Sequence, residues 1–137
     1  MANVRVADAT RDVMMNAFND QSNLGSAAII NIYSGVQPVN ADTALSGNVL
    51  LATLTASALM WGVSANGVLT LNAVAPDVSA DASGIASFAR VLTQGGGATI
   101  FDCDVGTSGA TIIFNTTTFI AGGTISITSG TMTFPPA

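Results

Sequence analysis

Apolar and polar positions alternate along most of the chain in short runs separated by turn residues, with the period of β-strands. SAAIINIY (26–33), NVLLATLT (48–55), GVLTLN (67–72), GIASFARVLT (84–93), ATIFDCDV (98–105), ATIIFN (110–115) and TISITSGTMTF (124–134) are short, rich in β-branched residues and bounded by turn formers. Seven or eight such strands predict an all-β fold, a jelly-roll-like antiparallel β-sandwich. In the last run Ile125 and Ile127 hold one parity while Met132 and Phe134 hold the other. That switch predicts a bulge or a corner between sheets at Ser129-Gly130. Pro135 and Pro136 then stop the strand, because neither offers an N–H to a ladder.

One stretch departs from this period. DATRDVMMNAFND (8–20) predicts a short N-terminal helix, with Asp8 as N-cap, Asp12 favouring the early turns electrostatically, and Met14, Met15 and Phe18 on one apolar face. Gly25 is its stop signal. Core packing is the simpler role for the methionines, and a partner-binding face is the alternative. The chain therefore divides into an arm and helix over residues 1–25 and a sandwich over residues 26–137, together one globular unit of 137 residues.

Charge changes the picture more than length does. Charged residues make up 8% of the chain, against roughly 25% in an average soluble protein. Arg5, Arg11 and Arg90 are the only basic residues, eight Asp supply the acid, and Lys, Glu and His are absent, for a net charge of −5. Nucleic acid is a poor partner for such a chain, since gripping phosphates needs clustered Lys and Arg. Mean hydropathy is +0.55, yet the longest apolar stretch, VLLATLTASALMWGV (49–63), is broken by Thr and Ser and is shorter than the roughly 20 residues of a spanning helix. We expect no membrane span. The charged N-terminus MANVRVADATRD (1–12) does not read as an export signal. Cys103 has no intramolecular partner, which suits a reducing compartment. Exposed strand edges without charges to defend them template further pairing, so this surface is expected to be covered by partners.

Catalytic chemistry is sparse. Without His or Glu, general bases reduce to Asp, and a Ser or Cys nucleophile lacks its imidazole. We expect no enzyme and no cofactor. Asp102 and Asp104 flank Cys103 and would raise its pKa, and alternation places the thiol on the opposite face, as a small core residue. The two aspartates could share a hard cation with a third oxygen donor, but no loop supplies calcium's ligand count, so no metal is expected. Asp77 and Asp81 in APDVSADASG (75–84) fit Asx turns equally well. QGGGATIFD (94–102) lacks the Lys of a phosphate loop and reads as a hairpin connection. Trp61 and Tyr33 are the only residues of their kinds, a thin basis for a sugar platform. The interface candidates are Arg5, Arg11, Met14, Tyr33 and Trp61.

Between the first two strands lies NIYSGVQPVNADTALSG (31–47), in which Gly35, Pro38, Asn40, Asp42 and Gly47 each have a turn-forming reason to be present. Its Tyr-x-Gly-x-x-Pro turn at Tyr33, Gly35 and Pro38, its ADTALSG segment and the later Val105-Gly106-Thr107-Ser108-Gly109 resemble a family of small tailed-bacteriophage virion proteins encoded near the major capsid gene. The likeness covers roughly residues 30 to 134. It implies a capsid decoration, or cement, protein: a jelly-roll sandwich, homodimer or homotrimer, seated on the outside of an HK97-fold shell. Its partners would be the major capsid protein and itself, its location the virion, and its place of synthesis the host cytoplasm. The family's motifs carry no catalytic residues. A surface receptor- or glycan-binding sandwich, with Trp61 or Tyr33 on its loops, and a tail or neck assembly protein are the alternative readings.

Overall fold

Each of the seven alternating runs contains a strand, and two further short strands, at 74–75 and 118–119, lie outside them. The computed structural model describes residues 4–22 and 27–133. Gly25, Phe134, Pro135 and Pro136, which carry the expected helix stop and strand end, lie outside the described residues. Among those described, the strands are β1 (Ile29–Tyr33), β2 (Leu50–Ala56), β3 (Val68–Thr70), β4 (Val74–Ala75), β5 (Gly84–Ile85), β6 (Phe88–Leu92), β7 (Thr99–Gly106), β8 (Ile112–Phe114), β9 (Thr118–Phe119) and β10 (Ile127–Thr133). With the α-helix α1 (Asp8–Ser22) they make an all-β, sandwich-like fold with one short N-terminal helix. No helix is long and apolar enough to cross a membrane among the described residues.

The main sheet has eight strands in the order β3-β10-β8-β7-β6-β1-β2-β4, and β5 pairs with β9 in a separate ribbon. It curls. Just beyond the edge strand β4, Asp77 exchanges both backbone bonds with Ile125, which precedes β10 near the opposite edge. Enclosed by this curl, Ile30, Ile32, Leu54, Val91, Ile112 and Phe114 pack in one cluster with Trp61 and Phe119. Each such side chain contributes about 1.5–3 kcal/mol by leaving water.

Three further details differ from expectation. The sheet is mixed, because β7 and β8 run parallel, with Val105 opposite Ile112. Parallel neighbours ordinarily need a crossover of a dozen or more residues. Here residues 107–111 suffice, because Gly109 takes φ +66° and the Asp104 carboxylate accepts the Thr111 N–H at 3.0 Å, folding the chain back on itself. Second, the 84–93 run divides into β5 and β6, and only β6 joins the main sheet. Third, the helix opens on the Ala7 carbonyl, which accepts the N–H groups of Thr10 and Arg11, so Asp8 is the first helical residue rather than the cap. Its charge still faces the positive end of the helix dipole.

The expected irregularity in the last run is present. Register slips between Ile127 and Ser129, and β10 leaves β8 at Gly130 to pair with β3 from Thr131 onward. Gly130 fits tightly there: a Cβ would lie 3.0 Å from Leu71 Cδ2 and 3.1 Å from the Thr111 carbonyl.

Candidate functional site

Residues 34–49 connect β1 to β2 as a strap over the outer face of the sheet, and side-chain bonds fix its backbone at several points. Asn48 Nδ2 donates to the carbonyls of Ser34 and Val36, both at 3.0 Å. The Ser87 hydroxyl donates to the Gly35 carbonyl at 2.6 Å, and Thr43 Oγ1 donates to Asn40 Oδ1 at 2.9 Å. Gly35 (φ +88°) and Gly47 (φ +72°) supply the left-handed turns. With its backbone pinned, the strap points Val36 and Val39 outward at 86% and 93% exposure.

Beneath the strap, Asn31, Arg90 and Asp102 lie abreast on β1, β6 and β7. Arg90 grips Asp102 with a fork: Nε donates to Oδ1 at 2.7 Å and Nη2 to Oδ2 at 2.8 Å. The same Nη2 reaches up to the Thr43 carbonyl at 3.0 Å and so ties the strap to the sheet. The side chains of Arg90 and Asp102 are 8% and 3% exposed. Hydrogen bonding to Asp102 raises the guanidinium pKa, against a desolvation that lowers it. Alongside, Tyr33 stacks on the buried Phe88 with ring centroids 5.5 Å apart. The Tyr33 hydroxyl is in long contact, 3.5 Å, with Asn31 Nδ2. Among the described residues, Asn31 Oδ1 is buried there without a hydrogen-bond partner.

The helix is fastened differently, through a polar face that its apolar spacing does not announce. Asp12 Oδ1 accepts the Ser64 hydroxyl and the Gly67 N–H, each at 2.7 Å. Asn16 Oδ1 accepts the Ser64 N–H at 2.9 Å, and Asn19 Nδ2 donates to the carbonyls of Trp61 and Gly62. The Gly67 N–H, then the Ser64 hydroxyl, hold the Asp12 carboxyl below the usual carboxylate range. One turn on, Phe18 packs against Phe101 at 5.1 Å, and Phe101 against Trp61 at 6.3 Å, an aromatic row joining helix to sheet.

These placements disperse the interface candidates. Trp61 is 1% exposed, so it is a core residue with no open face for a sugar or a partner. Arg11 is buried, bonded to Asp8 at 3.0 Å and packed on Gly67. Arg5 is exposed ahead of α1. Met14 is 43% exposed, whereas Met15 is buried and Phe18 half-buried, so the predicted apolar face is only partly turned inward. Met14, Met15, Phe18 and Met132 line an apolar recess of about 290 Å³. Beside it a wider, open groove of about 480 Å³ runs past Gln37, Phe101, Asp104 and Thr111. Tyr33 sits at the base of the strap, against Phe88.

The chemical candidates are engaged in structure. Asp102 serves Arg90 and Asp104 serves Thr111, so the two carboxylates turn to different partners. Asp77 Oδ1 accepts the Ser79 N–H in an Asx turn, and its Oδ2 accepts the Thr53 N–H. No group of three or more acidic, Cys or His side chains is placed to hold a metal among the described residues. Cys103 is buried, and burial, then Asp104 and Asp102, push its thiol pKa far up.

Sequence reasoning missed both fastenings. Thr93 and Ala98 close the β6–β7 hairpin and Leu92 faces Thr99, so counting inward from that turn sets Arg90 opposite Phe101. Ile100 is an extra residue that shifts the register and delivers Asp102 instead. The helix latch had one available signal, the recurrence of Asp12, Asn16 and Asn19 at helical spacing. Fold and site together define an all-β protein whose polar side chains fasten segments to one another. No protein-family model, curated protein or solved structure matches the chain.

Proposed function

We propose that the chain is a structural, non-catalytic virion protein of the capsid decoration type, which binds the outer surface of an HK97-fold phage head and stabilises contacts between capsomers. The observation that carries this reading is the strap: its backbone is pinned to the sheet while Val36 and Val39 stand 86% and 93% exposed. Apolar side chains held rigid before binding lose little conformational freedom when a partner covers them. Val63, Val78, Ile85 and Ile120 are exposed as well, on a surface carrying few charges. Repeated engagement of small apolar contacts across a lattice yields strong attachment from weak units. Of the residues that resemble the virion family, Tyr33, Gly35, Pro38 and the 41–47 segment lie in or against this strap, while 105–109 lie at the end of β7 and in the link that follows.

Cryo-electron microscopy of the parent particle tests the reading. Density for this chain repeated over the head lattice supports it, and density confined to the tail tip overturns it. A Val36→Asp/Val39→Asp double variant should keep the wild-type melting curve and lose co-sedimentation with heads. Full retention on heads would remove the strap from the interface.

A further inference from the structure

We infer that Asn66-Gly67 is a latent modification site, kept in its amide form by the docking of α1 through Asp12. It is the sole Asn-Gly dipeptide in the chain, and the Asn66 side chain is exposed. In such a pair the Gly67 peptide nitrogen attacks Asn66 Cγ, a C–N bond forms, ammonia leaves, and a cyclic imide results. Water then opens either carbonyl of the imide to give aspartate or isoaspartate at position 66. The balance is amide plus water to acid plus ammonia, with no change of oxidation state. A glycine at the second position leaves the attack unhindered, so the intrinsic chemistry favours this site over every other Asn in the chain.

Three features of the fold oppose that attack. The nitrogen that must lose its proton donates to Asp12 Oδ1 at 2.7 Å. An amide anion forming there would face a carboxylate, and like charges at that distance disfavour ionisation. Asn66 (φ +54°) and Gly67 (φ +74°) form the centre of a tight turn closed by reciprocal Ala65 and Val68 bonds at 3.0 Å, which fixes the backbone. The Arg11 guanidinium lies over Gly67, where a Cβ would come within 2.5 Å of its carbon. Asp12 and Arg11 both belong to α1, so undocking the helix removes the bound acceptor and the cover together. Once formed, a carboxylate at 66 adds negative charge beside Asp12. The isoaspartyl form also lengthens the backbone and breaks the Ala65–Val68 pairing. Modification therefore prevents the helix from returning to its seat.

The folded chain, incubated at mildly alkaline pH, digested and read by mass spectrometry, tests the inference. Conversion at Asn66 should be at least about tenfold slower than in a synthetic peptide of residues 63–69, the factor set by a charge-assisted hydrogen bond of ordinary strength. Asp12→Ala should approach the peptide's rate, and Asp12→Asn, which keeps an acceptor without the charge, should fall between. A wild-type rate equal to the peptide's, or an Asp12→Ala rate equal to the wild type's, overturns the inference. Should Asp12→Ala fail to fold, hydrogen exchange of the Gly67 N–H in the wild type decides. Protection matching that of the α1 amides supports the inference, and exchange at the unstructured rate overturns it.

Discussion

Replacing Asp102 with Ala removes the carboxylate that Arg90 grips with two bonds of 2.7 and 2.8 Å, and leaves the guanidinium with the Thr43 carbonyl alone. Both side chains are nearly sealed, at 8% and 3% exposure. Breaking a buried pair by deleting one partner costs about 3–5 kcal/mol, most of it the penalty of a stranded charge. The open groove bordered by Asp102 lets water approach that charge, which sets the expectation at the lower end, about 3 kcal/mol. With a urea slope of roughly 1.5 kcal/mol per molar, the unfolding midpoint should fall by about 2 M. The double variant Arg90→Met/Asp102→Leu leaves no stranded charge. It should lose about 1 kcal/mol, the strap's bond to Thr43, or less if the new apolar pair packs well. Equilibrium urea unfolding of the wild type, Arg90→Met, Asp102→Leu and the double variant forms a complete cycle, with Asp102→Ala measured beside it. An Asp102→Ala midpoint within about 0.5 M of the wild type, on the same urea slope, would refute the stranded-charge reasoning. So would a double variant as unstable as the single one.

The remaining expectations concern the helix and the thiol. Gly67→Ala forces an L side chain to φ +74° and pushes a Cβ into the Arg11 guanidinium; it should cost about 2–3 kcal/mol and speed amide exchange in α1, and a neutral effect on both would contradict the docking geometry. Asp12 has its folded pKa below its ordinary 3.8, so its bonds contribute fully above that value and are lost as pH falls through the folded one. The stability difference between wild type and Asp12→Asn should therefore shrink in acid, and a difference that persists unchanged there would exclude the charge as its source. Cys103 should resist alkylation at neutral pH in the folded chain and react readily in denaturant, because burial disfavours the thiolate. Labelling of the native chain at the rate of a free thiol would place Cys103 outside the core.

The strands were legible because alternation is a local signal, and the curled sheet buries one face along most of them. β1 shows it plainly: Ile30 and Ile32 are buried between more open neighbours. Partner choice was less legible, because it depends on where an extra residue sits. Ile100 changes who faces Arg90, and nothing about an isoleucine in a strand marks it as a bulge. The bulge near Ser129 was readable, since it moves the apolar set from one parity to the other. The parallel β7–β8 pair went unforeseen because a link of residues 107–111 normally signals a hairpin, and nothing in the apolar pattern marks Asp104 as the acceptor of the Thr111 N–H seven residues on. The helix was found through its methionines and phenylalanine, yet it is seated by Asp12, Asn16 and Asn19, residues an amphipathic reading assigns to water. Trp61 illustrates the limit on functional inference: a single tryptophan beside a turn reads equally well as surface or core, and its burial is settled by the packing of distant segments around it.

The order of strands also constrains how the chain reaches this state. β1–β2 and β6–β7 join sequence neighbours, but β1 must wait for β6, and β3 must wait for β10, with Thr70 meeting Thr131. Pairings that distant require large loops to close before any contact rewards them, which makes folding slow. During synthesis β3 emerges well before its partner, an unmatched strand edge in a chain with little charge to repel its copies. Yield on expression should thus depend on how quickly β10 arrives, and slowing translation through residues 71–126 should send more of this protein into aggregates.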